Sequence, residues 1–271
     1  MIPSSAEHPD SFHVRSADGT PLAVWVDGDG PPIVLVHGSF GDHTAWTVPV
    51  EELRKHFTTF AIDRRGFGGS GDRQSYSIER DFEDVASVVD AIATRKAAPV
   101  AVWGHSYGAN CAMGGASISS NVHGLVLYEP SLGLTYPAGA IEAVEAALAA
   151  GDRESAIVRV LLDVLEMSPE EIDALRSGPR WPNLVAGAHT APRECRAEET
   201  WVYEAGRFDA ISAPTLLLSG SESPEPVIEA TRRAAQAIPG ARVHVLEGHG
   251  HFAHRTDPTM VVSIIRAFLS A

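Results

Sequence analysis

Along the first half of the chain, short runs of consecutive apolar residues alternate with longer stretches whose apolar positions recur every three to four residues. The first pattern reads as strands buried on both faces and the second as amphipathic helices. Together they predict an α/β fold with a mostly parallel sheet covered on both sides. Residues 12–15 and 21–26 read as a hairpin around Ser16-Ala17-Asp18-Gly19, and 32–36, 58–62, 99–103 and 124–128 as buried strands. Helices are expected over 44–56, with Trp46, Val50 and Leu53 on one face, and over 77–95, with Ile78, Phe82, Val85, Val88, Val89 and Ile92. From 131 to 212 the strand signal vanishes. Helical periodicity replaces it at 138–150, 152–167 and 169–177, followed by a stretch holding Trp181, Trp201 and Tyr203. Alternation resumes with strands at 214–219 and 241–246 and helices at 226–238 and 258–269. The pattern predicts one core domain built from 1–130 and 213–271, interrupted by an all-helical insertion, 131–212, that reads as a cap over one end of the sheet.

Composition narrows the partners more than the fold. At 271 residues, 44% apolar and 21% charged, the chain can bury one substantial core. A formal charge of −14 argues against nucleic acid and anionic membrane surfaces. No apolar run approaches the roughly 18 residues of a membrane span. Met1-Ile2-Pro3-Ser4-Ser5-Ala6-Glu7 shows neither a basic nor an apolar signal region, so a cytoplasmic location is expected. Two cysteines, Cys111 and Cys195, do not make a disulfide framework, and Cys111 reads as a small core residue of the helix after residue 106.

Candidate chemistry gathers where strands end. Gly104-His105-Ser106-Tyr107-Gly108 follows the apolar run Val100-Ala101-Val102-Trp103 and precedes small residues suited to a packed helix. Such a strand-to-helix turn lifts the serine hydroxyl out of the sheet and sets it at a helix N-terminus, where N–H groups stabilise an anion. A serine needs a base, and Glu247-Gly248-His249-Gly250-His251-Phe252 follows the last strand. His251 is the better candidate and His249 the alternative. His254 reads as a local structural group. A metal reading of His249-x-His251 lacks an accompanying acidic cluster.

Taken in order, His37-Gly38, Asp63-x-Arg65-Gly66-x-Gly68-x-Ser70, Gly104-x-Ser106-x-Gly108 and Gly250-His251 resemble the α/β-hydrolase superfamily. The resemblance covers nearly the whole chain outside the insertion. It implies an eight-stranded sheet, a helical cap after the sixth strand, and a Ser/acid/His triad with Ser106 as nucleophile and His251 as base. It also implies an oxyanion hole from the N–H groups of Tyr107 and Ser39, or of Phe40 if the loop is shifted by one. His37 reads as a loop brace, Asp63–Ser70 as a scaffold turn, and Arg64 and Arg65 as partners of local carboxylates or carbonyls.

The acid departs from the pattern. Many relatives carry an Asp after the strand matching 215–219, but this turn reads Gly220-Ser221-Glu222-Ser223-Pro224. Glu222 and Glu129 are the available carboxylates. After Ser106 a helix of about 12 residues advances roughly 18 Å, and a strand of about six residues returns roughly 20 Å. That path ends level with the serine and favours Glu129, which Pro130 holds at the strand end. Some members of the superfamily place the acid after this strand.

The expected activity is hydrolysis of a carboxylic ester or lactone without a cofactor. Trp181, Trp201 and Tyr203, with Phe40, are candidate contacts for an apolar or aromatic small-molecule substrate, and packing of the cap is their alternative role. A C–C bond hydrolase, amidase or cofactor-free perhydrolase on the same triad is the second reading. A non-enzymatic ligand-binding or signalling member of the fold is the third.

Overall fold

The computed structural model describes residues 10–165 and 167–270. The N-terminal heptapeptide read above lies outside them, as does Glu166 of the expected 152–167 helix. The chain opens with β1 (Asp10–Arg15), β2 (Pro21–Asp27) and β3 (Pro32–Val36), then a 3-10 turn (His43–Trp46) leading into α1 (Thr47–Leu53). Sequence periodicity reads one helix here. Pro49 has no N–H to donate four residues back, so the α-helix proper begins only at Thr47. There follow β4 (Thr58–Ile62), α2 (Ile78–Lys96), β5 (Val100–His105), α3 (Tyr107–Ile118) and β6 (Val122–Tyr128).

The segment between β6 and β7 (Thr215–Gly220) is helical: α4 (Ala140–Ala149), α5 (Arg153–Arg159), α6 (Pro169–Arg176), α7 (Trp181–Gly187) and α8 (Ala191–Glu199). The expected helix over 152–167 gives way after Arg159 to a π turn, Val160–Val164. The chain closes with α9 (Glu225–Ala237), β8 (Arg242–Leu246), α10 (Ala253–Thr256) and α11 (Pro258–Leu269).

The eight strands form one sheet in the order β1-β2-β4-β3-β5-β6-β7-β8. Its β1/β2 and β2/β4 pairs are antiparallel and the remaining pairs parallel. Every residue of β3, β4, β5 and β7 is buried, as continuous apolar runs demand of strands covered on both faces. Side-chain alternation sorts the core. Val34, Val36, Val102, Leu125 and Leu127 pack under α2 and α3, whereas Ile33, Leu35, Trp103, Val126 and Leu218 pack under α11. The ends of the parallel strands at Val36, Ile62, His105, Tyr128, Gly220 and Leu246 lie on one side of the sheet, where the connecting loops meet.

A third apolar cluster, running from Val144 to Ala191, belongs to the helical segment and takes in Phe40 from the loop after β3. The segment docks on those strand-end loops. Asn183 Nδ2 donates to Asp42 at 2.7 Å, and Arg193 Nη2 donates to the Arg65 carbonyl at 3.0 Å. Trp201, Tyr203, Phe208 and Ile211, from the end of the stretch read above as 131–212, instead pack on the main core. No helix among the described residues is long and apolar enough to cross a membrane.

Candidate active site

Ser106 sits between β5 and α3 with φ 55° and ψ −127°, a conformation non-glycine residues seldom adopt. Neighbouring backbone enforces it. A Cβ on Gly104 would lie 2.4 Å from the Gly108 carbonyl oxygen, and one on Gly108 would lie 2.2 Å from that of Val36. The Ser106 N–H donates to the Tyr128 carbonyl at 2.8 Å, which locks this turn to the end of β6. Tyr107 is the first residue of α3, so its N–H has no acceptor within the helix and forms part of the positive end of the helix dipole.

One residue beyond that lock, Glu129 is fully buried with φ 48°. Its Oε2 accepts from His251 Nδ1–H at 2.5 Å, and its Oε1 accepts from the Gly220 N–H at 2.7 Å. With Nδ1 protonated, the other ring nitrogen of His251 is left as an acceptor, the tautomer a general base needs. Glu222 is exposed, and its N–H donates to the His249 carbonyl at 2.9 Å. Ser223, in the turn where many relatives carry an Asp, is buried, and its hydroxyl has no hydrogen-bond partner among the described residues.

The histidine loop is clasped by residues that sequence reading passed over. His105 Nε2–H donates to the His251 carbonyl at 2.8 Å, and the Tyr128 hydroxyl donates to the Gly250 carbonyl. That hydroxyl in turn accepts from the Ala253 N–H at 3.1 Å. The clasping residues immediately precede Ser106 and Glu129, and their adjacency to those positions was the available signal. His254 is buried against Trp46, Trp103 and Tyr128, a structural placement. Burial, followed by the neighbouring histidine and arginine charges, drives His105 and His254 well below the usual imidazole range. Both rings are therefore neutral beside His251.

Gly38, after β3, approaches so closely that a Cβ there would lie 3.0 Å from Ser106 Cβ. The loop carrying Ser39 and Phe40 thus borders the serine. Ser39 is half-buried, whereas Phe40 is buried and turns its ring into the helical segment's own core beside Trp181. His37 is fully buried, and burial first, then the Arg64 charge, lowers it to about 3. In that neutral ring Nε2 accepts from the Arg64 N–H at 3.0 Å and Nδ1–H donates to the Gly38 carbonyl at 2.7 Å.

Arg64 Nε donates to the His37 carbonyl at 2.9 Å, and its Nη2 donates to Glu194 at 2.7 Å and to the Gly38 carbonyl at 3.3 Å. Burial works against this charge, but Glu194 and Asp81 more than compensate and hold the guanidinium well above its ordinary value. Asp63 braces the same turn, accepting from the N–H groups of His43 and Gly69 at 2.7 and 2.8 Å and from the Trp25 indole at 3.0 Å. Arg65 pairs with Asp84 at 2.6 Å.

The aromatic residues expected at a substrate pocket are committed to packing. Trp201 lies edge-on to Phe82 and stacks near Phe208, both in the main core, and Tyr203 joins the same group. Trp181 is buried within the helical segment under the Arg176 guanidinium. Packing is the alternative role that the sequence reading gave them; for Trp201 and Tyr203 the partner is the main core, because aromatic character does not say which core a side chain faces. Among the described residues, no group of three or more His, Cys, Asp or Glu side chains could hold a metal ion.

The model of the alpha/beta hydrolase family matches residues 33–264. An alpha/beta hydrolase from Sphaerobacter thermophilus is 31% identical with a TM-score of 0.81, covering 95% of this chain and 99% of that one. An (E)-2-((N-methylformamido)methylene)succinate hydrolase from Acinetobacter baylyi is 28% identical over 89% of this chain and 91% of its own length. The enol-lactonase of Burkholderia xenovorans shares the fold, with a TM-score of 0.73 at 22% identity over 96% of this chain and 100% of that one.

Proposed function

The chain belongs to the alpha/beta hydrolase family, and on that premise we propose that it hydrolyses a carboxylic ester or lactone through an acyl-enzyme on Ser106. The observation that carries this reading is the contact of His251 Nδ1 with the buried Glu129 carboxylate at 2.5 Å, on strand ends adjoining the Ser106 turn. His251 takes the proton of the Ser106 hydroxyl as its oxygen attacks the carbonyl carbon. Glu129 holds the imidazole in its working tautomer and stabilises the imidazolium. The N–H groups of Ser39 and Tyr107 receive the oxyanion, each donor being worth about 2.7–4 kcal/mol in the transition state. His251 then protonates the departing alkoxide oxygen, and a water activated by the same ring releases the acid and regenerates the serine.

The substrate is a small molecule, admitted beside the Gly38 loop that borders the serine. An amide-type substrate on the same residues is the second reading, favoured by the relative named for an N-methylformamido-bearing succinate. The test compares wild type with Ser106→Ala, using a fluorophosphonate probe and a panel of p-nitrophenyl esters, lactones and N-acyl compounds. Wild type is expected to be labelled and to turn over esters or lactones. Labelling and turnover no higher than in Ser106→Ala would sink the proposal, and turnover of N-acyl compounds alone would favour the second reading.

A further inference from the structure

The loop that borders Ser106 is gripped from behind. The Gly38 carbonyl accepts two hydrogen bonds, from His37 Nδ1–H at 2.7 Å and from Arg64 Nη2 at 3.3 Å. In a trans peptide the carbonyl and the next N–H point in opposite directions. Fixing the Gly38 oxygen therefore fixes the direction of the Ser39 N–H. The backbone N–H of residue 64, which any substitution there keeps, occupies His37 Nε2 at 3.0 Å and so keeps the proton on Nδ1. The Arg64 side chain acts a second time through the His37 carbonyl, which its Nε holds at 2.9 Å. That carbonyl lies against the start of α3, where a Cβ on Gly108 would come within 2.3 Å of it.

The guanidinium is itself held in a closed setting. It is 2% exposed, pairs with Glu194 of the helical segment at 2.7 Å and with Asp81 of α2 at 3.6 Å, and lies over the ring of Tyr107, 4.8 Å from its centroid. One side chain thus touches both loops that flank the serine and the helical segment above them. A planar fork with several fixed donors is what such a junction needs, and arginine alone among the cations supplies it.

We propose that Arg64 is a positioning residue for the Ser39 N–H, and that Glu194 ties the docking of the helical segment to the same peptide. The proposal rests on the acyl-enzyme reading and goes beyond it by assigning the orientation of one oxyanion donor to a residue that touches no substrate. A displacement of about 1 Å in a group aimed at the transition state costs on the order of 100-fold in rate. The loss falls on the transition state and leaves ground-state binding nearly intact.

The test uses the full chain, with wild type, Arg64→Met, Arg64→Lys and Glu194→Gln titrated for active serine with a fluorophosphonate. For each, kcat and KM are measured on one p-nitrophenyl ester, with the inhibition constant of a trifluoromethyl ketone, which adds to the serine and forms an oxyanion. Arg64→Met is expected to lose about 100-fold in kcat with KM changed by less than about twofold, and to lose ketone affinity in parallel. Arg64→Lys keeps the charge without the fork and is expected to fall nearly as far. Glu194→Gln, which keeps an acceptor and loses the charge, is expected to fall by about threefold to tenfold. If Arg64→Met does not fold, Arg64→Lys and Glu194→Gln decide the matter. A lowered Tm with kcat and ketone affinity per active serine unchanged would make Arg64 purely structural and overturn the proposal. Absence of labelling and turnover in wild type would instead overturn the acyl-enzyme reading, and this proposal with it.

Discussion

The two sides of Ser106 are held by different means. On the histidine side, Glu129, Tyr128 and His105 stand at the ends of adjacent parallel strands, and the register of the sheet alone delivers them to the loop around His251. On the Gly38 side, the peptide is gripped by the neutral His37 ring and by Arg64, which Asp81 and Glu194, from two separate helices, hold through buried charge. Backbone ladders tolerate the loss of a side chain. A buried ion network does not, because removing one member strands the others without solvent. The histidine side should therefore fail through chemistry, and the Gly38 side through both chemistry and folding.

The largest expected break in this contrast is Glu129→Gln. It keeps the volume while removing the charge and permitting the wrong imidazole tautomer, so kcat should drop by about 10³–10⁴-fold with little change in Tm. Steady-state kinetics beside thermal unfolding checks it. Gly108→Ala should next act on stability, since its Cβ meets carbonyl oxygens of Val36 and His37 at 2.2 and 2.3 Å. An overpacking cost of about 1–3 kcal/mol or more is expected by denaturant titration.

Tyr128→Phe removes the hydroxyl that joins the Gly250 carbonyl to the Ala253 N–H. It should reduce kcat/KM by about fivefold to tenfold, corresponding to roughly 1 kcal/mol. A pH effect belongs to Glu198 of α8, buried between Ser131 and Tyr136, where burial raises its carboxyl to about 8. A carboxyl raised from its ordinary 4.5 binds more protons folded than unfolded, so its contribution is full below 4.5 and is lost as pH rises through about 8. Tm should therefore decline over that window, and Glu198→Gln should flatten the decline. The smallest effect is expected for Glu222→Gln, exposed and distant from the His251 ring nitrogens in its bonding, which should leave kcat within about twofold. A loss in Glu222→Gln comparable to that in Glu129→Gln would undo the histidine-side account.

Much of this organisation was legible in the chain because it is local. Apolar runs, turn glycines and the helical periodicities placed each strand to within a residue or two, and the rise of one helix and one strand sufficed to bring Glu129 level with Ser106. Local patterns fell short where partners lie far apart. The aromatic character of Trp201 and Tyr203 could not show that they join Phe82 and Phe208 in the main core rather than the helices before them. The doublet Arg64-Arg65 read as two equivalent scaffold cations, yet Arg65 closes on Asp84 while Arg64 reaches the peptides beside the serine.

The sequence by itself determined the order of elements, the strained turn at Ser106 and the short list of groups that could serve it, because strand ends and glycine-bound turns are dictated within a few residues. Which carboxylate meets His251, which core each aromatic ring joins and what grips the Gly38 peptide were decided only by the tertiary structure. Those contacts join residues up to 130 positions apart, and their energies exist only once the sheet and the helical segment have excluded water from between them.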